Sequence, residues 1–169
     1  MNAAPHRRSV HPPVIDIVRE SPLWDSEQDI EMTLQRAIAE ASADFARGEA
    51  ELAIVLTDDA HIQKLNHEWR GFDKPTNVLS FPVNETGLGQ PAPLLLGDIV
   101  IAYETMKREA AEQGTPFLHH LSHLTVHGFL HLQGYDHEVE AEAETMEALE
   151  RQILARLDIP DPYAARDAG

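Results

Sequence analysis

The residues whose types and spacing carry the most chemistry lie in His127-Gly128-Phe129-Leu130-His131-Leu132-Gln133-Gly134-Tyr135-Asp136-His137. His127 and His131 are four apart, so on a helix both imidazoles leave one face a turn from each other and can close on a single metal ion. Gly134 stands three residues later, where a helix can end in the left-handed conformation that glycine adopts at little cost. The chain reverses there, and His137 can return as a third ligand. Three neutral imidazoles around an open position are the donor set of a catalytic zinc, whereas structural sites close with four protein ligands. His123 shares the helical face, but it is eight residues from His131, about 12 Å along a helix axis. The set that closes is therefore His127, His131 and His137, with His123 placed behind the ligands or beside the cleft.

A histidine pair at i, i+4 is by itself commonplace; the glycine break and the third histidine in register make the pattern specific. The spacing is that of the metzincin peptidases, H-x-x-x-H-x-x-G-x-x-H, in which a glutamate directly after the first histidine acts as general base. Here that position is Gly128, so peptide hydrolysis by that route loses its base. Hydrolysis of another electrophile stays open, because a catalytic zinc lowers the pKa of a bound water to about 7. Asp136 and Glu138 are the nearby carboxylates, and Asp136 is expected to hold a histidine in orientation.

The elements that must position these residues can be read in order. Val14-Ile15-Asp16-Ile17-Val18 reads as a strand. Apolar residues at helical spacing predict a helix from Ser26, as N-cap, to about Arg47, with Gly48 as its stop. Glu51 to Thr57 is a nearly continuous apolar strand. Thr57-Asp58-Asp59 caps a helix whose Ile62, Leu65 and Trp69 form one stripe. Arg70-Gly71-Phe72-Asp73-Lys74-Pro75-Thr76-Asn77 is a loop by its glycine and proline, and with Lys64 it gathers local positive charge. Val78-Leu79-Ser80-Phe81-Pro82 suits a sheet edge, residues 84–93 a surface loop, and Gly97 to Ala102 a fourth strand. A helix from about Glu104 to Gln113 follows. Thr115-Pro116 should then cap the helix that carries His127 and His131. Val139 to about Leu157 forms a last helix, with Val139, Met146, Leu149, Ile153 and Leu157 on its apolar stripe. Its glutamates, Glu150 among them, read as a solvated face.

The chain has 169 residues, enough for one domain with a hydrophobic core. Residues 14–163 are expected to form it, between a disordered arm at 1–13 and a short tail at 164–169. No apolar run approaches the roughly 20 residues that span a bilayer, and the basic N-terminus lacks the apolar segment of a signal peptide. The absence of cysteine excludes disulfides and thiolate ligands and fits a reducing cytoplasm. A net charge of −16 argues against non-specific nucleic-acid binding over the whole surface. An anionic substrate would have to meet a local patch of cations.

The segment His127 to His137 resembles the signature H-G-x-L-H-L-x-G-Y-D-H of the YbeY family of bacterial endoribonucleases. Arg70 to Pro82 and Leu96-Gly97-Asp98-Ile99 resemble two further blocks of that family, and the three blocks occur in the family's order between about residues 50 and 163. The resemblance implies a zinc-binding, cytoplasmic RNase of rRNA maturation and ribosome quality control. It also implies an α+β fold in which a small mixed four-stranded sheet lies beside the metal helix, with about five helices. In those terms His127, His131 and His137 would hold one zinc ion. Arg70 would stabilise charge developing on a phosphate, and Lys74 would contact the RNA backbone. Ribosomal RNA, and the ribosome or a protein on it, are the implied partners, without a membrane. No residue is an obvious general base, so water and the RNA 2′-hydroxyl both remain available as nucleophile. Two other classes compete: a non-catalytic ribosome-assembly factor using the zinc helix as scaffold, and a metallopeptidase.

Overall fold

The computed structural model describes residues 11–45, 49–83 and 94–164. In chain order its elements are β1 (Val14–Arg19), a 3-10 turn (Pro22–Ser26), α1 (Ile30–Ser42), β2 (Ala50–Thr57), α2 (Asp59–Arg70), β3 (Val78–Pro82), β4 (Leu94–Ala102), α3 (Tyr103–Gln113), α4 (Phe117–Leu132) and α5 (Glu140–Arg156). The fold is α+β. Its sheet has the order β1-β2-β4-β3, with β1, β2 and β4 parallel and β3 antiparallel to β4. The expected mixed four-stranded sheet with five helices is thus present, and β3 is an edge strand.

Side chains alternate across the strands, and the two faces meet different helices. Leu52, Ile54 and Leu56 of β2 and Ile99 and Ile101 of β4 join the main core with α1, α4 and α5. Val55 and Val100 point the other way and pack with Ile62 and Leu65 of α2, beside Leu79 and Phe81 of β3. Such alternation is the period-two geometry of a pleated strand. Burial on both faces accounts for the almost unbroken apolar run of β2.

Several boundaries differ from those predicted, each for a local reason. Ser26 does not cap a helix; its hydroxyl donates to Leu23 O at 3.0 Å within the 3-10 turn. That turn is held by Trp24, which is fully buried and donates its indole N–H to Thr57 O at 2.9 Å. Helix α1 starts at Ile30 behind Asp29, which takes a left-handed conformation at φ 62°. It ends at Ser42, and the expected stop at Gly48 lies outside the described residues. Thr115 belongs to the end of α3, donating its N–H to Ala110 O, and Pro116 occupies the cap of α4. Strands β2 and β4 begin earlier than predicted, at Ala50 and Leu94. Trp69 is largely exposed although it keeps the stripe's spacing: Ile62 and Leu65 pack under the sheet, whereas Trp69 only edges against Phe81 of β3, ring centroids 5.9 Å apart. Val139 is likewise exposed. The expected loop at 84–93, the N-terminal arm up to residue 10 and the tail from 165 also lie outside the described residues.

Helix α4 is the most buried element and sits directly on the sheet. A Cβ at Gly128 would lie 2.8 Å from Ile99 Cγ2 and 3.2 Å from Ser80 Oγ, and that hydroxyl donates to Gly128 O at 3.0 Å. One turn on, Leu132 reaches Gly97, which stands beside a bulge where Leu96 is the extra residue of β4. Gly97 has φ +133°, and a Cβ there would meet Phe81 O at 2.3 Å and Pro82 Cα at 2.9 Å. Backbone cannot give way as a side-chain tip can. We therefore expect Gly97→Ala to lower unfolding free energy by about 2–4 kcal/mol, from overpacking and strain together. A denaturant midpoint unchanged from wild type would show that the two strands separate easily.

Candidate metal centre and cleft

The C-terminal half of α4 presents His127 and His131 on one face, and the turn after it brings back His137. The helix ends at Leu132, where Gly134 at φ +96° and a bond from Tyr135 N to Leu130 O at 3.1 Å reverse the chain. One ligand atom from each of His127, His131 and His137 lies within 4.8 Å of the others. The Nε2 atoms of His127 and His131 are 3.1 Å apart. The first two histidines are half-buried and His137 is exposed, so the cluster opens to solvent on one side. Among the described residues it is the one group of histidines and carboxylates able to hold a metal ion. Imidazole nitrogens suit zinc, copper, iron and nickel.

The arrangement of His127 depends on a residue that sequence reasoning assigned to the solvent. Glu150 of α5 is fully buried. Its Oε1 accepts from His127 Nδ1 at 2.5 Å, and its Oε2 accepts from the Tyr163 hydroxyl. His123 lies against the same pair, its Nε2 being 3.2 Å from Tyr163 Oη and 3.6 Å from Glu150 Oε2. Donation from Nδ1 fixes the tautomer of His127 and leaves the lone pair on Nε2, the atom that faces His131. Burial pushes the Glu150 carboxyl up, but hydrogen bonds from His123 and His127 outweigh it and hold the group down at about 2. The carboxylate is ionised and supplies a negative charge behind the histidines.

The sequence did hold a signal for this role. Glu150 is four residues after Met146 and three before Ile153, both fully buried, and therefore stands on the apolar stripe of α5. A carboxylate on such a stripe must find partners inside the protein. Tyr163, beyond the helix, offered no comparable periodicity.

The remaining candidate residues lie around this cluster. His123 joins the Glu150 network and is not among the three clustered ligand atoms. Asp136 accepts from the backbone N–H of His137 at 2.7 Å, so it shapes the turn that presents His137 and does not bond an imidazole. Glu138 is exposed. Arg70 is the last residue of α2, and Lys74 follows in the loop; both are exposed. Among the described residues neither makes a hydrogen bond to the histidines, and Arg70 has no ion-pair partner. Their loop is nonetheless fastened. Asn66 Nδ2 donates to Lys74 O at 2.9 Å, and Asn77 Nδ2 donates to Glu109, which also accepts from His120 of α4 at 2.9 Å.

A model of the family described as endoribonuclease YbeY matches residues 18–158. The chain is 56% identical to endoribonuclease YbeY of Rhodopseudomonas palustris strain BisA53, over 92% of this chain and 93% of that protein. It is 58% identical to endoribonuclease YbeY of a Bradyrhizobium species, over 92% and 95% of the two chains. To endoribonuclease YbeY of Nitrobacter winogradskyi it is 59% identical, over 90% and 83%. Among solved structures, the solution structure of TM1509 from Thermotoga maritima superposes with a TM-score of 0.52 at 24% identity, covering 86% of this chain and 92% of that one. That likeness concerns the fold.

Two outcomes follow from this geometry. Glu150→Gln removes the negative charge and presents an amide to His127 Nδ1–H and Tyr163; metal affinity measured by chelator competition should fall about 10–100-fold. Equal affinity would mean that α5 merely covers the site. The second concerns the metal-free protein. Burial first, then the charge of His127 and His137, lowers His131 from 6.5 to about 4. As pH falls below 6.5 the unfolded chain takes up a proton that the native one refuses, so stability drops down to about pH 4. Glu150 contributes stability above its unfolded value of 4.5, and this is lost as pH falls from 4.5 to about 2. Chelated protein should thus show a falling denaturation midpoint across both windows. His131→Asn should flatten the upper one; an unaltered slope in that variant would assign the loss to other groups.

Proposed function

The chain belongs to the YbeY family and is an endoribonuclease, and from that premise we propose that it is a zinc-dependent enzyme preferring single-stranded RNA, acting in 16S rRNA maturation and ribosome quality control. The observation that carries the metal part is the closeness of three imidazole nitrogens, one from each of His127, His131 and His137. Tetrahedral zinc with nitrogens at about 2.0–2.1 Å sets neighbouring ligands about 3.3 Å apart, against 3.1 Å between the Nε2 atoms of His127 and His131. His131 is held neutral at physiological pH by its burial, and His127 keeps its lone pair on the cleft side through Glu150. In this reading His127, His131 and His137 hold the ion, which when bound supplies Lewis acidity toward a phosphodiester.

The remaining roles fall to side chains on the fastened loop. Arg70 carries a permanent charge on a planar fork that matches two phosphate oxygens, and it stabilises the charge that grows on the phosphate. Lys74 contacts a neighbouring phosphate as a point charge. With an overall net charge of −16 and a Debye length of about 10 Å at 0.1 M salt, only such local cations act on a bound strand. Free RNA is accordingly bound weakly, and the ribosome or a protein on it presents the substrate. No helix of the described residues is long and apolar enough to cross a membrane, and we place the activity in the cytoplasm.

Cleavage of a single-stranded RNA by zinc-loaded protein, beside chelated protein and Arg70→Ala, tests the proposal. Chelation and Arg70→Ala should each reduce the rate by orders of magnitude. Arg70 is exposed, so its loss should change stability by no more than roughly 0.5 kcal/mol, and Arg70→Lys should restore activity only in part. Wild-type cleavage by chelated protein would remove zinc from the mechanism, and wild-type cleavage by Arg70→Ala would remove the arginine.

A further inference from the structure

Among the described residues Trp69 and Phe72 are the exposed aromatic rings, at 69% and 57% of their full surface. They flank Arg70, and Lys74 follows two residues later. Exposed apolar area of this kind is unfavourable in water, and nothing in the packing requires it. Trp69 is braced on one side by Phe81, with ring centroids 5.9 Å apart at 67°. The Lys74 ammonium lies 5.7 Å from the centroid of Phe72. From Lys64 to Lys74 the chain carries three cations, Lys64, Arg70 and Lys74, against two carboxylates, Glu68 and Asp73. One of those, Asp73, is engaged by Gln63 at 3.0 Å. On a protein of net charge −16 this is an island of positive charge interleaved with open rings.

We propose that Trp69 and Phe72 form a stacking platform for the bases of single-stranded RNA, with Arg70 and Lys74 taking the phosphates between them. Base stacking on aromatic side chains combined with cations along the backbone is the general chemistry of single-strand recognition, and it tolerates any base sequence because every base has a π-face. Double-stranded RNA keeps its bases within the stack and cannot use such rings. The position also fits. Phe81, which braces Trp69, belongs to the edge strand β3, and its neighbour Ser80 points to the opposite face and bonds Gly128 O at 3.0 Å, next to His127. Platform and histidines therefore flank one edge strand, and an RNA strand crossing that edge meets both. The inference rests on the reading that this chain cleaves single-stranded RNA at the histidine cluster, and it adds what makes the enzyme choose single strands.

The two tryptophans give a direct readout, since Trp24 is fully buried and Trp69 open. Chelated full-length protein is titrated with a short oligouridylate and, separately, with inorganic polyphosphate, following tryptophan emission and binding. Oligouridylate should quench Trp69. Trp69→Ala should weaken oligouridylate binding about five- to a hundredfold while leaving polyphosphate affinity as it was, and Trp69→Phe should recover most of the loss. Unquenched emission, an unchanged affinity in Trp69→Ala, or an equal loss toward polyphosphate would each overturn the platform and leave the rings as a surface for some other partner. Cleavage of the same oligonucleotide by metal-loaded wild type separates the two readings. Cleavage without a Trp69 effect removes the platform alone; Trp69-dependent binding without cleavage keeps the platform and removes the proposed site.

Discussion

A carboxylate with no exposure to water must be surrounded by donors, and in this protein Glu150 imposes that condition on everything near the histidines. An ionised carboxylate left unpaired inside a protein costs several kcal/mol. Its two oxygens are met by His127 from α4 and Tyr163 from beyond α5, with His123 alongside. The same contacts that satisfy the charge lock α5 against α4, select one tautomer of His127, and direct its free nitrogen toward His131. Helix packing and the chemistry of the site are thereby one constraint. A looser seat for α5 would leave both a buried charge and a disoriented ligand.

A second constraint acts from the sheet side. Gly128 lets α4 approach Ile99 and Ser80 more closely than any side chain would permit, and the bond from Ser80 joins the helix to the edge strand. The position where a metzincin carries its glutamate is here used for packing, which is why the shared histidine spacing does not carry shared chemistry. The loop after α2 is tied to the same helix through Asn77, Glu109 and His120. Hydrogen bonds within the native structure hold Glu109 ionised in spite of its partial burial. Cations on that loop are exposed but carried on a fixed backbone, a combination that suits contact with a polyanion better than either a buried charge or a floppy one.

Charge distribution sets the terms of substrate access. The overall −16 repels RNA at long range, and α5 turns most of its glutamates outward. Residues 64–74 carry three cations, Lys64, Arg70 and Lys74, together with the exposed rings of Trp69 and Phe72.

The histidine register, the glycine stop and the three blocks of family resemblance lie in local sequence, because metal-ligand spacing on a helix and a reversing turn are short-range geometry. The strands and the edge position of β3 were legible too, from β-branched runs and the prolines beside them, whereas the mixed sheet was implied by the family resemblance. What local sequence could not decide was the company that each side chain keeps. Ser26 had the chemistry of a helix cap, but burial of Trp24 drew its segment into a 3-10 turn. Trp69 had the spacing of a core residue, but it lies at the end of α2 and meets the sheet only at the ring of Phe81 on the edge strand, which leaves it largely exposed. Glu150 looked like one more glutamate on an acidic helix, although its position between Met146 and Ile153 already placed it on the apolar stripe. Its partners, His127 and Tyr163, are 23 and 13 residues away, and only the packing of α5 on α4 brings them together. Periodicity tells which way a residue faces along its own element; what it faces is settled by how the elements pack.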